Sequence, residues 1–208
     1  MTTRFLIRAL LVSTLALLTY LTVGPGAFAQ GTTTPLAIAT ARITIAGTSN
    51  VHDYTATTTD ARVTRAQFGG GATSDGLWDE AQKPGGLEAF DIAIAAASLK
   101  SPKEGIDKNM HRALKVKEHA DITFSLKRIE GMPGTLRAFG TLRIAGVERD
   151  VTLPLTTAKK GATLVVTGAI DVLMTDFGIA PPKAMLGMVK TDPKVTVSFE
   201  VVLALATT

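Results

Sequence analysis

From Leu36 to Leu203 apolar and polar positions alternate with a period of two, broken by Gly, Pro, Asp and Asn, which is the signature of half-buried β-strands. The clearest case lies near the C-terminus, where Val195, Val197, Phe199, Val201 and Leu203 alternate with Thr196, Ser198, Glu200 and Val202. Phe90, Ile92 and Ile94 behave similarly around Asp91, and Ile122, Phe124 and Leu126 alternate with Thr123, Ser125 and Lys127. Further strands are predicted through Ile43 and Ile45, from Arg62 to Phe68, through Leu142 and Ile144, from Val151 to Leu155 and from Leu164 to Ile170. Short links rich in turn residues, such as Gly131-Met132-Pro133-Gly134, Ala145-Gly146-Val147 and Lys159-Lys160-Gly161, reverse the chain between neighbours and make the pairing antiparallel. The pattern predicts an all-β fold of about eight strands, a barrel or sandwich, and such a barrel closes around side chains or one small ligand.

Two segments depart from this rhythm. Between Leu99 and Asp121, Ile106, Met110, Ala113 and Leu114 fall at helical spacing and predict one amphipathic helix, lying across the sheet or plugging one barrel mouth. Asp107 near its start and Lys115 and Lys117 near its end suit the helix dipole. From Thr175 to Thr191, Pro181, Pro182 and the glycines interrupt any ordinary strand, and the segment reads as an ordered Pro/Gly/Met loop.

The first residues follow a different logic. Arg4 and Arg8 precede an apolar run from Ala9 to Val23, and Gly24-Pro25-Gly26 then leads into Ala27-Phe28-Ala29. This is the layout of a secretory signal, with 1–29 removed before Gln30, 30–35 a flexible leader and 36–208 one domain. The run is shorter than the roughly 20 residues a membrane span needs, so no stable membrane insertion is expected after cleavage. Export, to a periplasm or outside the cell, is the predicted location. Of 22 basic residues two lie in the signal, leaving 20 against 18 acids, or +2, without the concentrated basic face that nucleic acid requires. With no cysteine, an exported domain relies on packing and hydrogen bonding alone.

Candidate chemistry is sparse. His52, His111 and His119 form no known metal-ligand spacing, and His52-Asp53, adjacent on a strand, point to opposite faces. Asp176-Phe177-Gly178 matches the kinase magnesium tripeptide but lacks every accompanying kinase motif. Ser98, Ser101 and Ser125 sit in no nucleophile elbow, so no catalytic residue, metal or cofactor is expected and the protein is not read as an enzyme. The anomaly is instead apolar and adaptable. Met110 and Leu114 in the helix, and Met174, Ile179, Met185, Leu186 and Met188 in the loop, either close the core or face a guest.

Six segments in order resemble the YceI-like family of lipid- or polyisoprenoid-binding proteins. They are Thr48-Ser49-Asn50-Val51-His52-Asp53-Tyr54, Ala97-Ser98-Leu99-Lys100-Ser101, Asp107-Lys108-Asn109-Met110-His111, Ile122-Thr123-Phe124, the stretch Gly140 to Val147, and Met174 to Pro182. The resemblance implies an extended eight-stranded antiparallel β-barrel, lipocalin-like in outline, whose tunnel holds an isoprenoid chain. On that reading the apolar lining is Phe90, Ile92, Phe124, Leu126, Val197 and Phe199, with Met110, Leu114, Phe177 and Met185 closing over the chain. His52, Tyr54 and His111 become the polar candidates for the head group. The expected partner is a long-chain isoprenoid, such as a polyisoprenoid or quinone precursor, or a related amphiphile, and a homodimer is compatible with the sequence. The function implied is a carrier that does not transform its cargo. Two alternatives stay open: a stress-related scavenger of fatty amides and other amphiphiles, and an enzyme acting on a bound amphiphile through His52, Asp53 and His111.

Overall fold

The computed structural model describes residues 36–69, 76–184 and 188–206. The expected signal and leader, and Met185 and Leu186 of the loop, lie outside the described residues. The strands are β1 (Leu36–Ser49), β2 (Tyr54–Thr58), β3 (Ala61–Phe68), β4 (Leu87–Ala95), β5 (Asp121–Met132), β6 (Thr135–Ile144), β7 (Val147–Lys160), β8 (Thr163–Leu173), β9 (Lys183–Ala184) and β10 (Val189–Leu205). Two α-helices, α1 (Leu77–Ala81) and α2 (Glu104–Ala113), and two short 3-10 turns, Ala96–Ser98 and Met174–Phe177, complete the described elements.

One antiparallel sheet runs in the order β2-β1-β10-β8-β7-β6-β5-β4-β3, with β9 attached only to β10. Its two edge strands are consecutive in sequence, separated by Thr59 and Asp60, so the sheet must curl to bring its ends together. The edge strand β2 is tied to the segment after β4 by Thr57 N donating to Lys100 O at 2.8 Å and Lys100 N donating to Thr57 O at 3.0 Å. Nine strands lie on the path instead of the eight expected, and the addition is β2. Three of its five residues are threonine, so it lacks the aliphatic alternation that marks the other strands, although Ala56 and Thr58 are buried.

Bulges decide which residues face inward. Between Ile38 and Thr40, Val63 and Arg65, and Leu126 and Arg128 the register slips by one residue. Each slip exchanges the two faces of the strand, so the inward set passes from Leu126 to Ile129 on β5. At the β6–β7 hairpin, Ala145 and Gly146 both take positive φ (49° and 83°), the geometry of a tight two-residue turn matched to sheet twist.

The β7–β8 ladder stops at Leu155↔Gly168, next to Pro154, which has no N–H to continue it. Beyond that point the 3-10 turn Met174–Phe177 packs on β7, β8 and β10, with Phe177 buried. The segment expected to be a loop therefore contains this turn, β9 and the start of β10, and β10 is longer than the alternation alone marks. The predicted amphipathic helix is α2, at the same end. At the opposite end sits α1, absent from the sequence expectation because five residues show no helical period. Its Leu77, Trp78 and Ala81 are buried, and Trp78 Nε1 donates to Ala162 O at 3.1 Å.

Candidate functional site

The curled sheet encloses a cavity of about 620 Å³ beneath α2. Its walls are the inward sets of the strands: Ile43 and Ile45 on β1, Ile92 and Ile94 on β4, Ile122 and Phe124 on β5, Ile170 and Val172 on β8, and Val195, Val197 and Phe199 on β10. Ile106, Met110 and Ala113 of α2, Leu114 just after it, and Phe177 and Ile179 close the top. Ile45, Leu142, Ile170, Val197 and Phe199 face inward yet are only half-buried, because the void, and not another side chain, lies in front of them.

Polar lining groups collect at one place. Ser49 and His52 come from the end of β1 and the β1–β2 turn, Lys103 from just before α2, Asn109 from within that helix and Thr191 from the start of β10, and His52 and Lys103 are exposed to solvent. This is the mouth. The turn is fixed by Ser49 Oγ, which donates to His52 O at 2.7 Å and accepts from His52 N at 3.1 Å. Asn50 then clamps the turn to β10, its Nδ2 donating to Met188 O at 2.9 Å and its Oδ1 accepting from Lys190 N at 2.7 Å. Tyr54 lines the wall below the mouth, its ring lying where a side chain on Gly47 would otherwise stand. Partial burial, and secondarily the charge of Asp192, push its phenol pKa above the ordinary tyrosine value.

Of the residues singled out from sequence, Phe90, Ile92, Phe124, Val197, Phe199, Met110, Leu114, Phe177, His52 and Tyr54 all border this cavity. Leu126 borders a second, smaller void deeper in the barrel. His111 is absent from both linings; its Nε2 is 2.8 Å from Leu99 O, a bond that anchors α2 to the segment after β4. Met185 lies outside the described residues. Lys103, Asn109 and Thr191 are not among the site residues that the sequence points to, and only the fold brings them to one rim. Asn109 did carry a signal, since it lies three residues after Ile106 on the helix. Among the described residues there is no group of three or more His, Asp or Glu side chains placed to hold a metal ion, and no helix long and apolar enough to cross a membrane.

No curated protein matches the sequence. Among solved structures, BcnA of Burkholderia cenocepacia is similar at a TM-score of 0.62 and 18% identity, covering 80% of this chain and 96% of that one. A polyisoprenoid binding domain from Saccharophagus degradans, implicated in plant cell wall breakdown, aligns at 0.61 and 10% identity over 84% of this chain and all of its own. The Campylobacter jejuni YCEI protein aligns at 0.54 and 17% identity over 100% of this chain and 94% of that one. At these identities the three establish the shared fold. The model of the YceI-like domain matches residues 37–203, from β1 to the last turns of β10, and by that match the chain belongs to the YceI-like family.

Proposed function

We propose that this protein is an exported carrier that holds a long apolar lipid of the polyisoprenoid class inside the curled sheet, with the lipid's polar head at the rim formed by Ser49, His52, Lys103, Asn109 and Thr191. The observation that carries this reading is the apolar cavity of about 620 Å³ opening at a polar rim. At about 30 Å³ per methylene-sized group, that space accommodates about 20 carbons, or about four isoprene units. Each unit contributes about 3–4 kcal/mol of gross burial at about 0.8 kcal/mol per methylene. Association costs about 4–15 kcal/mol, so one unit at best breaks even and, toward the upper end of that range, about four are needed to offset it. The site therefore favours a long chain.

The polyisoprenoid assignment draws support from family membership and from the binding domain of Saccharophagus degradans with the same fold. A carrier role, as opposed to catalysis, is supported by the placement of the polar groups at the rim while the buried chain would meet hydrocarbon. Export rests on Arg4, Arg8, the apolar run and Ala27-Phe28-Ala29.

The test is organic extraction of gently purified protein followed by mass spectrometry, together with uptake of added polyprenol in competition with a straight-chain fatty amide. A stoichiometric prenyl lipid and preference for the prenol support the reading. Equal uptake of both ligands would favour the amphiphile scavenger, and absence of any bound or acquired lipid would remove the carrier. The mass of the exported protein should begin at Gln30.

A further inference from the structure

Among the described residues, the barrel interior has a void of about 620 Å³ under α2 and another of about 100 Å³ toward α1. Three phenylalanines, Phe90 on β4, Phe124 on β5 and Phe199 on β10, border both. Two of these rings lean over inward positions of the wall that carry no side chain. A Cβ on Gly140 would lie 2.5 Å from Phe124 Cζ, and one on Gly168 would lie 2.6 Å from Phe199 Cζ. Gly140 falls between Ala138 and Leu142 on the inward face of β6, and Gly168 between Val166 and Ile170 on that of β8. Glycine thus gives two of the rings their resting places, and the three rings, with Ile92, Leu153, Val166 and Leu203, which also border both voids, fill the level between them.

Building on the carrier reading, we infer that Phe90, Phe124 and Phe199 form a waist that stops the lipid tail and sets the longest chain the protein accommodates whole. Above the waist Ile45, Leu142, Ile170 and Val197 are half-buried and face open space; below it Leu155, Ala138 and Leu164 close on a void that fits about three carbons at about 30 Å³ each. Removing one ring joins the two voids and adds the ring's own volume. The gain is about one isoprene unit.

The experiment measures dissociation constants for prenols of increasing length with the full chain, by native mass spectrometry and by displacement of a fluorescent prenyl analogue. In the unaltered protein affinity should rise about tenfold or more per unit until the tail meets the waist, and less than about threefold beyond. Phe199→Ala should move that break longer by about one unit. Phe199→Leu, a milder change that keeps the wall packed, should move it in the same direction, and thermal unfolding of both variants verifies that they fold. Ala138→Leu fills only the lower void, so alone it should leave the break unchanged, and combined with Phe199→Ala it should restore the original break. Binding of prenols by every variant with an unmoved break overturns the waist and leaves the carrier standing. No binding by the unaltered protein overturns the carrier and the waist with it.

Discussion

At the α1 end of the barrel only about 100 Å³ is left unfilled, whereas the same strands enclose about 620 Å³ at the α2 end. Both ends obey the same inward alternation, so alternation builds the wall and something else decides whether it is filled. At the α1 end a short helix delivers the Trp78 indole into the core. Gln82, just beyond it, accepts from Thr157 Oγ1 at 2.6 Å and donates to Trp78 O at 2.7 Å, while Thr157 Oγ1 accepts from Gly134 N at 3.0 Å. Among the described residues, the buried polar side chains there are all paired. At the other end α2 presents Ile106, Met110 and Ala113, which stop at the edge of the void and leave it open to the rim.

The contrast can be broken most severely at the filled end. Trp78→Ala should cost about 3–5 kcal/mol of stability in urea unfolding, because it empties a packed site; a loss below about 1 kcal/mol would show that this end is not the structural base. Thr157→Val should cost about 1–3 kcal/mol by leaving Gln82 Oε1 and Gly134 N without their partner. Ile170→Ala, on the open side, should cost less than about 2 kcal/mol in the empty protein, since its side chain already faces a void. The penalty should grow when a prenol is bound, and urea titrations with and without ligand read the difference. Tyr54 gives the smallest effect. Its raised pKa means that the fold favours the protonated phenol, so its contribution is complete below the ordinary tyrosine value of about 10 and lost as pH rises through the higher folded value. Urea midpoints should fall over that range, and part of the fall should vanish in Tyr54→Phe.

Strand identity was legible because β-branched and aromatic residues mark most strands, β10 above all. The threonine-rich β2 escaped since its inward positions include Ala56 and Thr58, which carry little hydrophobic signal. Wall residues such as Phe124 and Val197 could be read from alternation, but bulges such as the one between Leu126 and Arg128 exchange inward and outward faces, and a bulge leaves no reliable mark in a single sequence. The rim was least legible. Ser49, Lys103 and Thr191 are ordinary surface residue types, brought together only when the β1–β2 turn docks on β10 beside the start of α2. His111 was a head-group candidate through the family-like segment Asp107 to His111; in the fold it sits one step around the helix from Met110 and turns toward Leu99 O.

Filling the void tests the central claim most directly. Val197 and Ile170 are paired across β10 and β8, and both face the cavity. A Val197→Trp, Ile170→Phe double variant should occupy it from one wall with a stability change within about 1–3 kcal/mol. Titrated with geranylgeraniol in native mass spectrometry, the folded variant should bind at least about tenfold more weakly than the unaltered protein, a difference of about 1.4 kcal/mol. Undiminished binding by the filled barrel would place the lipid elsewhere and contradict the account.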